Sequence, residues 1–466
     1  MTQSAPASSR WVAGLDLGST GVKILVTDEA GTQLLALQRP TPWQHGPGGT
    51  TELEPRALLD TLAGLLDEAA SRLDDRPGCG RVEALAISGM GETGVLVDSQ
   101  GSPRSAGIAW FDPRGAEQVA ALPETLRGDF AGRTGLPLGV QVSAVKLLHL
   151  RDNGVPLTGC RWFNLPEYVA LALGGTSAGE LSLASRTGLL DQDSGQLWWE
   201  LADHLGVGDD FLPPMVTSGT DTGAVAAAWA PPMFAGARLT VAGHDHLVST
   251  VAGGGLDPDR YLVSMGTAEV LLRVLDEPIP YAARAHLAGY LINCVRHIVP
   301  GQYAVVAGVK TGLLMRRALQ LAGISDRAGR DTLDAAACAI PLEGLLPRDA
   351  IEVRGARNDD GVLSLTVRGD GATPAELFNA VLRHGNDEIV RLVEVLDGVI
   401  PPARSTILTG GWAGMASVRR ARSQVLPGLE VSTRGEDTAY GAARIAARLL
   451  TDQTAPPPAR TPHTTL

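Results

Sequence analysis

The chain has 466 residues, 44% hydrophobic and 19% charged, with a formal net charge of −12. That length allows two or three domains with substantial cores, and the acidic balance argues against a nucleic-acid scaffold, which needs a basic stripe, while leaving room for local basic pockets. No apolar run reaches the roughly 18 residues of a membrane span, the four cysteines Cys79, Cys160, Cys294 and Cys338 show no CxxC spacing, and Met1 to Ser9 lacks a basic start followed by an apolar core, so no membrane association, no disulfide framework and no leader are expected. The cytoplasm is the expected location.

In chain order, residues 11 to 28 read as two apolar strands joined by the turn Gly18-Ser19-Thr20-Gly21, with Asp16 at the end of the first strand. Side-by-side backbone N–H groups in such a turn can cradle anionic oxygens, and Asp16 could hold the magnesium that accompanies a polyphosphate. An ordinary hairpin whose glycines supply backbone freedom explains the same residues equally well. Leucines between Leu58 and Leu73 fall at helical spacing, and Val82 to Ser88 reads as a buried strand ending in Gly89-Met90-Gly91-Glu92-Thr93-Gly94. Val95 to Asp98 with the turn at Gly101 suggests a hairpin. Helices are predicted over Val142 to Arg151 and Pro166 to Leu173, and a short strand over Arg238 to Ala242. The Gly253-Gly254-Gly255 run marks a domain boundary, dividing the chain into 10–250 and 251–452, with 1–9 and 453–466 expected to be disordered. Residues 260 to 274 repeat the strand, Gly/Thr turn, strand pattern, which suggests an internal duplication with Gly266 and Thr267 in the second turn. Helices are predicted over Ala304 to Leu321, Ala375 to Leu396 and Gly441 to Leu450, with a buried strand from Thr406 to Thr409. The alternation of strands and helices gives an α/β class.

Three clusters carry candidate chemistry. In Gly243-His244-Asp245-His246 a carboxylate follows a short strand and opens a helix, where it can accept the proton of a substrate hydroxyl. A helix N-terminus keeps Asp245 ionised, although an N-cap role is the plainer account. His244 and His246 could share an ion, but no third-ligand motif such as HExxH accompanies them, so His246 is read as a hydrogen-bonding or packing residue. Glu92, Trp110 and Asp112 follow predicted strands, and an acid beside an indole suits a sugar or polyol; Arg114 pairing with Asp112 or Glu92 as scaffold is the alternative. Gly410 and Gly411 follow the Thr406 to Thr409 strand and would let a flat base approach the backbone. A P-loop is excluded, since no GxxxxGK(S/T) occurs.

Together GLDLGSTGVK at 14 to 23, ISGMGETGVLVD at 87 to 98, AWFDPR at 109 to 114, ASRTGLLD at 184 to 191, AGHDH at 242 to 246, SMGTAE at 264 to 269, LTGGWAG at 408 to 414 and EDTAYGAA at 436 to 443 resemble the FGGY carbohydrate kinases of the actin/hexokinase/Hsp70 ATPase superfamily. The resemblance implies two ribonuclease-H-like domains with a cleft between them, ATP and Mg²⁺ as cofactors, and a small carbohydrate as partner, with a homodimer left open. It implies that Asp245 is the catalytic base and that Asp16 helps hold Mg²⁺. It further implies that Gly18, Ser19, Thr20, Lys23, Gly266 and Thr267 lie at the nucleotide phosphates, that Gly410 and Gly411 lie against the adenosine, and that Glu92, Trp110, Asp112 and His246 contact substrate. Gly91 precedes Glu92, where glycerol kinases carry an arginine, and many xylulose kinases carry a histidine at the place of Glu92. The acceptor therefore stays a ketose, sugar acid or polyol, a xylulose-like ketopentose first. An ATPase switch and an inactive sugar sensor of the same superfamily are the rival readings.

Overall fold

A computed structural model describes residues 10–74, 80–355, 363–368, 370–432 and 436–451. The expected disordered ends at 1–9 and 453–466, Cys79, and Arg434 and Gly435 lie outside the described residues.

Strand β1 (Arg10–Leu17) and strand β2 (Gly21–Asp28) pair antiparallel, with Asp16 opposite Lys23, and β3 (Gln33–Pro40) continues the antiparallel edge. On its other side β1 runs parallel to the Arg81–Gly89 strand, which in turn runs parallel to Arg238–His244. The second half builds the same thing. Arg260–Met265 pairs antiparallel with Glu269–Leu275, which pairs antiparallel with Tyr303–Val309, while Arg260–Met265 runs parallel to Ser405–Thr409 and that strand parallel to Leu429–Val431. The order and direction of five strands thus recur in two six-stranded sheets, as a duplication requires.

Alternation sets what each face buries. Trp11, Ala13, Leu15 and Leu17 pack with Leu58, Leu62, Leu65 and Leu66 of helix α1 (Pro55–Asp74), whereas Val12 faces the opposite core. That opposite core contains Ala439, Ala442, Ala443 and Ile445 of the last helix, Asp437–Leu450, so the end of the chain returns to the first sheet. The approach is tight: a Cβ at Gly14 would stand 2.0 Å from the Ala439 carbonyl oxygen, and one at Gly441 2.4 Å from that of Val248.

Two elements depart from the sequence-based expectation. Ala304 to Leu321 is not one helix but the strand Tyr303–Val309 followed by the helix Thr311–Leu321. Val305, Ala307 and Val309 enter one core while Ala304 and Val306 enter another, and a strand covered on both faces is a continuous apolar run that periodicity cannot tell from a helix. Gly94–Asp98 does turn back locally at Gly101, through the Val97 to Pro103 bridge and the Asp98 and Arg104 N–H bonds to the Ser102 and Leu96 carbonyls, but its full partner strand is the distant Cys160–Asn164. Among the described residues no helix is long and apolar enough to cross a membrane, and Cys160, Cys294 and Cys338 form no disulfide.

Candidate active site

The C-terminal ends of three neighbouring strands of the first sheet bring the site together. β1 delivers Asp16, the Arg81–Gly89 strand leads into Glu92, and Arg238–His244 leads into Asp245. In the turn after β1, the Gly18 N–H bonds the Gly21 carbonyl at 3.1 Å. Thr41 Oγ1 donates to the Gly18 carbonyl and Trp43 Nε1 to that of Ser19, both at 2.7 Å. The turn's carbonyls are therefore occupied, while Thr20 is exposed at its tip.

Asp245 is the first residue of the helix Asp245–Gly253. Its Oδ1 accepts the His246 N–H at 2.6 Å and lies 3.4 Å from His244 Nδ1. Burial would raise its pKa, but His246, His244, that N–H bond and the Arg186 charge outweigh burial and hold it below the usual aspartate value. His244 is buried, and burial drives its pKa down to about 4, so the ring is neutral. Ser182 fixes the bend into this helix: its hydroxyl donates to Glu180 at 2.5 Å and accepts the His244 N–H at 3.1 Å. Gly243, at φ 111°, admits the contact, since a Cβ would stand 2.6 Å from Ser182 Oγ. The imidazoles of His244 and His246 meet edge-to-face at 5.3 Å, and one ligand atom from each of His244, Asp245 and His246 falls within 4.8 Å of the others.

Asp16 is buried and its Oδ1 has no hydrogen-bond partner among the described residues. Burial first, then the nearby Asp245 charge, lift its pKa to about 7 against the opposing pull of Lys23. Lys23 Nζ is engaged by Glu436 at 2.7 Å, a contact that ties β2 to the segment before the last helix. Thr438 Oγ1, in that helix, reaches the Asp245 carbonyl at 3.4 Å.

From the second sheet come the Gly266–Thr267 turn and Gly410. The Thr267 hydroxyl accepts Arg316 Nη2 at 3.0 Å, and Gly312 lets the Thr311–Leu321 helix sit against the turn, because a Cβ there would be 1.9 Å from the Gly266 carbonyl oxygen. Gly410 takes φ 94° against the Met265 carbonyl, and both Gly410 and Gly411 are exposed. Behind the turn Glu269 is wholly buried, bound by Arg422 at 2.7 and 2.8 Å and by Thr311 Oγ1 at 2.6 Å.

The sugar-facing candidates separate. Asp112 is buried as scaffold: its carboxylate accepts the Thr51 N–H at 2.6 Å, the Arg114 N–H at 2.8 Å and the Arg114 guanidinium at 2.9 and 2.7 Å, leaving no oxygen turned to a ligand. Arg114 also binds Glu52, and Lys146 Nζ bonds the carbonyls of Asp112 and Arg114, so the alternative weighed for Arg114 is the one the structure adopts. Trp110 is 38% exposed and stands edge-on to Phe111, itself edge-on to Trp43, whose indole bonds the Ser19 carbonyl. Glu92 is buried and pairs with Arg186, a residue the sequence did not single out although it lies in the quoted ASRTGLLD stretch; Arg186 Nε is 2.8 Å from Glu92 Oε1, and Nη2 contacts the same oxygen.

Comparison with known proteins fits this architecture. Residues 11–252 match the family model for the N-terminal domain of the FGGY family of carbohydrate kinases. The chain belongs to the FGGY family of carbohydrate kinases. FGGY members are sugar phosphotransferases. A xylulose kinase of Streptomyces rubiginosus is 26% identical over 95% of this chain and 88% of its own length. A xylulose kinase of Lactococcus lactis is 25% identical over 62% of the chain, which spans only 57% of that protein. Among solved structures, a xylulose kinase from Rhodospirillum rubrum superposes with a TM-score of 0.79 at 22% identity over 94% of this chain and 90% of that one. A Plasmodium falciparum glycerol kinase solved with ADP gives 0.83 at 18% identity over 96% and 91%. The FGGY fold, a mixed α/β structure with two sheet-based domains of the actin-like ATPase type, is thus shared across the chain.

Proposed function

We propose that this chain transfers the γ-phosphoryl group of Mg-ATP to a hydroxyl of a small carbohydrate, with Asp245 as general base. The observation that carries this reading is Asp245 itself, a half-buried, ionised carboxylate at a strand-to-helix junction, close enough to the buried Asp16 for its charge to raise the Asp16 pKa. In the transfer, the acceptor hydroxyl gives its proton to Asp245, its oxygen bonds the γ-phosphorus, and the bond from that phosphorus to the bridging oxygen of ADP breaks. A base with a lowered pKa takes that proton late, when the acceptor oxygen has become acidic through bonding to phosphorus. The residues present fit the cofactors. Asp16 Oδ1, a buried oxygen without a partner, suits a hard divalent cation, and such a cation would offset the crowding of Asp16 and Asp245. When bound, Mg-ATP supplies the phosphoryl group and charge neutralisation at its oxygens. The glycine turns Gly18–Thr20 and Gly266–Thr267 would hold the phosphates, one from each sheet, and Gly410 and Gly411 would admit the adenosine. Lys23 would reach the phosphates once Glu436 yields it. Glu92, His246 and the Trp110 face would bound the acceptor, with Asp112 positioning that loop from behind. We place the reaction in the cytoplasm, as the sequence suggests.

ADP release from Mg-ATP across ketoses, polyols and sugar acids tests this reading. Release stimulated by one class, and lowered about 10²- to 10⁴-fold in Asp245→Asn with ATP binding retained, is expected. Near-normal rates in that variant would remove Asp245 from the role.

A further inference from the structure

Arg186 has a place in this site that no sequence motif assigns to it. Its side chain is 11% exposed, and its guanidinium spends Nε and Nη2 on a single oxygen of Glu92. The remaining nitrogen, Nη1, is buried and has no hydrogen-bond partner among the described residues. A buried donor left unpaired costs more than a hydrogen bond returns, so such an atom in a folded protein calls for an explanation. Asp16 Oδ1 and His244 Nδ1 are likewise buried without a hydrogen-bond partner among the described residues, the latter 3.4 Å from Asp245 Oδ1. His244 packs against the same small residue as Arg186: a Cβ at Gly91 would stand 2.8 Å from both Arg186 Cγ and His244 Cδ2. Gly91 is therefore the opening through which Arg186, 94 residues along the chain from its partner Glu92, enters beside His244.

We propose that Arg186 is a specificity-determining residue, which donates through Nη1 to an oxygen of the bound acceptor while Glu92 holds its guanidinium in place, and that the pair selects an uncharged sugar over a sugar acid. This rests on the carbohydrate-kinase reading above. The preference follows from charge. A guanidinium that faced an anionic acceptor would leave its fork open for a carboxylate, but here two of its donors and its charge are met by Glu92. A carboxylate brought in beside it would meet the charges of Glu92, Asp245 and Asp16, and the nearby Lys23, among the described residues, is already paired with Glu436. A hydroxyl or keto oxygen satisfies Nη1 without adding charge.

The test is calorimetric binding to the full chain without nucleotide, using matched polyol, ketose and aldonate acceptors of three, five and six carbons. At least one neutral member should bind at least 10-fold more tightly than its aldonate. Arg186→Gln and Arg186→Lys should each weaken that neutral ligand by about 10- to 100-fold, the loss of one charge-assisted hydrogen bond, with ADP binding unchanged. Gly91→Ala keeps every charge yet displaces Arg186, and should weaken the same ligand, so a folding defect in one Arg186 variant does not decide the matter. Aldonate binding equal to or tighter than the neutral member, neutral binding indifferent to all three substitutions, or no acceptor binding at all would overturn the proposal. Arg186-dependent binding without acceptor-stimulated ADP release would instead sink the kinase reading and leave the recognition role standing.

Discussion

Asp16→Asn should stabilise the metal-free chain at alkaline pH while removing its response to Mg²⁺. The Asp16 carboxyl has a pKa of about 7 in the folded chain, against 3.8 for an unburied aspartate, through burial and the charge of Asp245. Between those two values the folded chain binds more protons than the unfolded one, so stability falls as pH rises through that window and the full cost is present above about pH 7. A gap of about three pH units, at about 1.4 kcal/mol each, sets that cost at up to about 4 kcal/mol. Urea unfolding in chelator should show the asparagine variant ahead by a few kcal/mol at about pH 8 and by about 1 kcal/mol or less near pH 4.5. Added Mg²⁺ should raise the midpoint of the parent chain at pH 8 and leave the variant where it was. The same proton must leave before Asp16 can hold a cation, so the KM for Mg-ATP of the parent should rise as pH falls below about 7. A variant less stable than the parent at pH 8, or a gain of equal size at both pH values, would refute the account of Asp16 as a strained cation ligand.

Other substitutions probe the frame around the site. Gly14→Ala inserts a methyl against the Ala439 carbonyl, where neither backbone has room, and should cost about 3 kcal/mol in urea or thermal unfolding; a neutral result would show that the last helix can shift off the first sheet. Glu269→Ala strands the wholly buried Arg422 guanidinium and should cost about 3–5 kcal/mol, whereas Glu269→Met with Arg422→Met should recover most of it; equal losses in the single and double variants would count against the ion-pair account. Glu436→Gln breaks a partly exposed pair and should change stability by no more than about 1 kcal/mol. By freeing Lys23 it should lower the KM for ATP, as read in the ADP-release assay, and an unchanged or higher KM would place Lys23 away from the phosphates.

The strands, turns and helix starts that carry Asp16 and Asp245 were legible because each sits at a boundary with a strong local signal, a glycine turn after an alternating strand or a carboxylate opening a helix. The duplication was legible for the same reason, through the repeated strand-turn-strand at 260 to 274. Residues whose role depends on a distant partner were not. Glu92 and Arg186 lie 94 residues apart, and Lys23 and Glu436 lie 413 apart, so neither pair leaves a trace in local spacing. Asp112 shows the converse. Its position after a strand beside Trp110 reads as a ligand contact, yet the Thr51 amide and the Arg114 guanidinium consume its oxygens. The Tyr303–Val309 strand escaped because burial on both faces erased its alternation. By itself, then, the sequence determined the α/β class, most of the elements and where Asp16 and Asp245 sit on them, since these follow from backbone freedom and periodicity along a few residues. Only the tertiary structure decided which polar groups are spent on one another and which remain for a ligand, because hydrogen-bond capacity is settled by whatever the fold brings within about 3 Å.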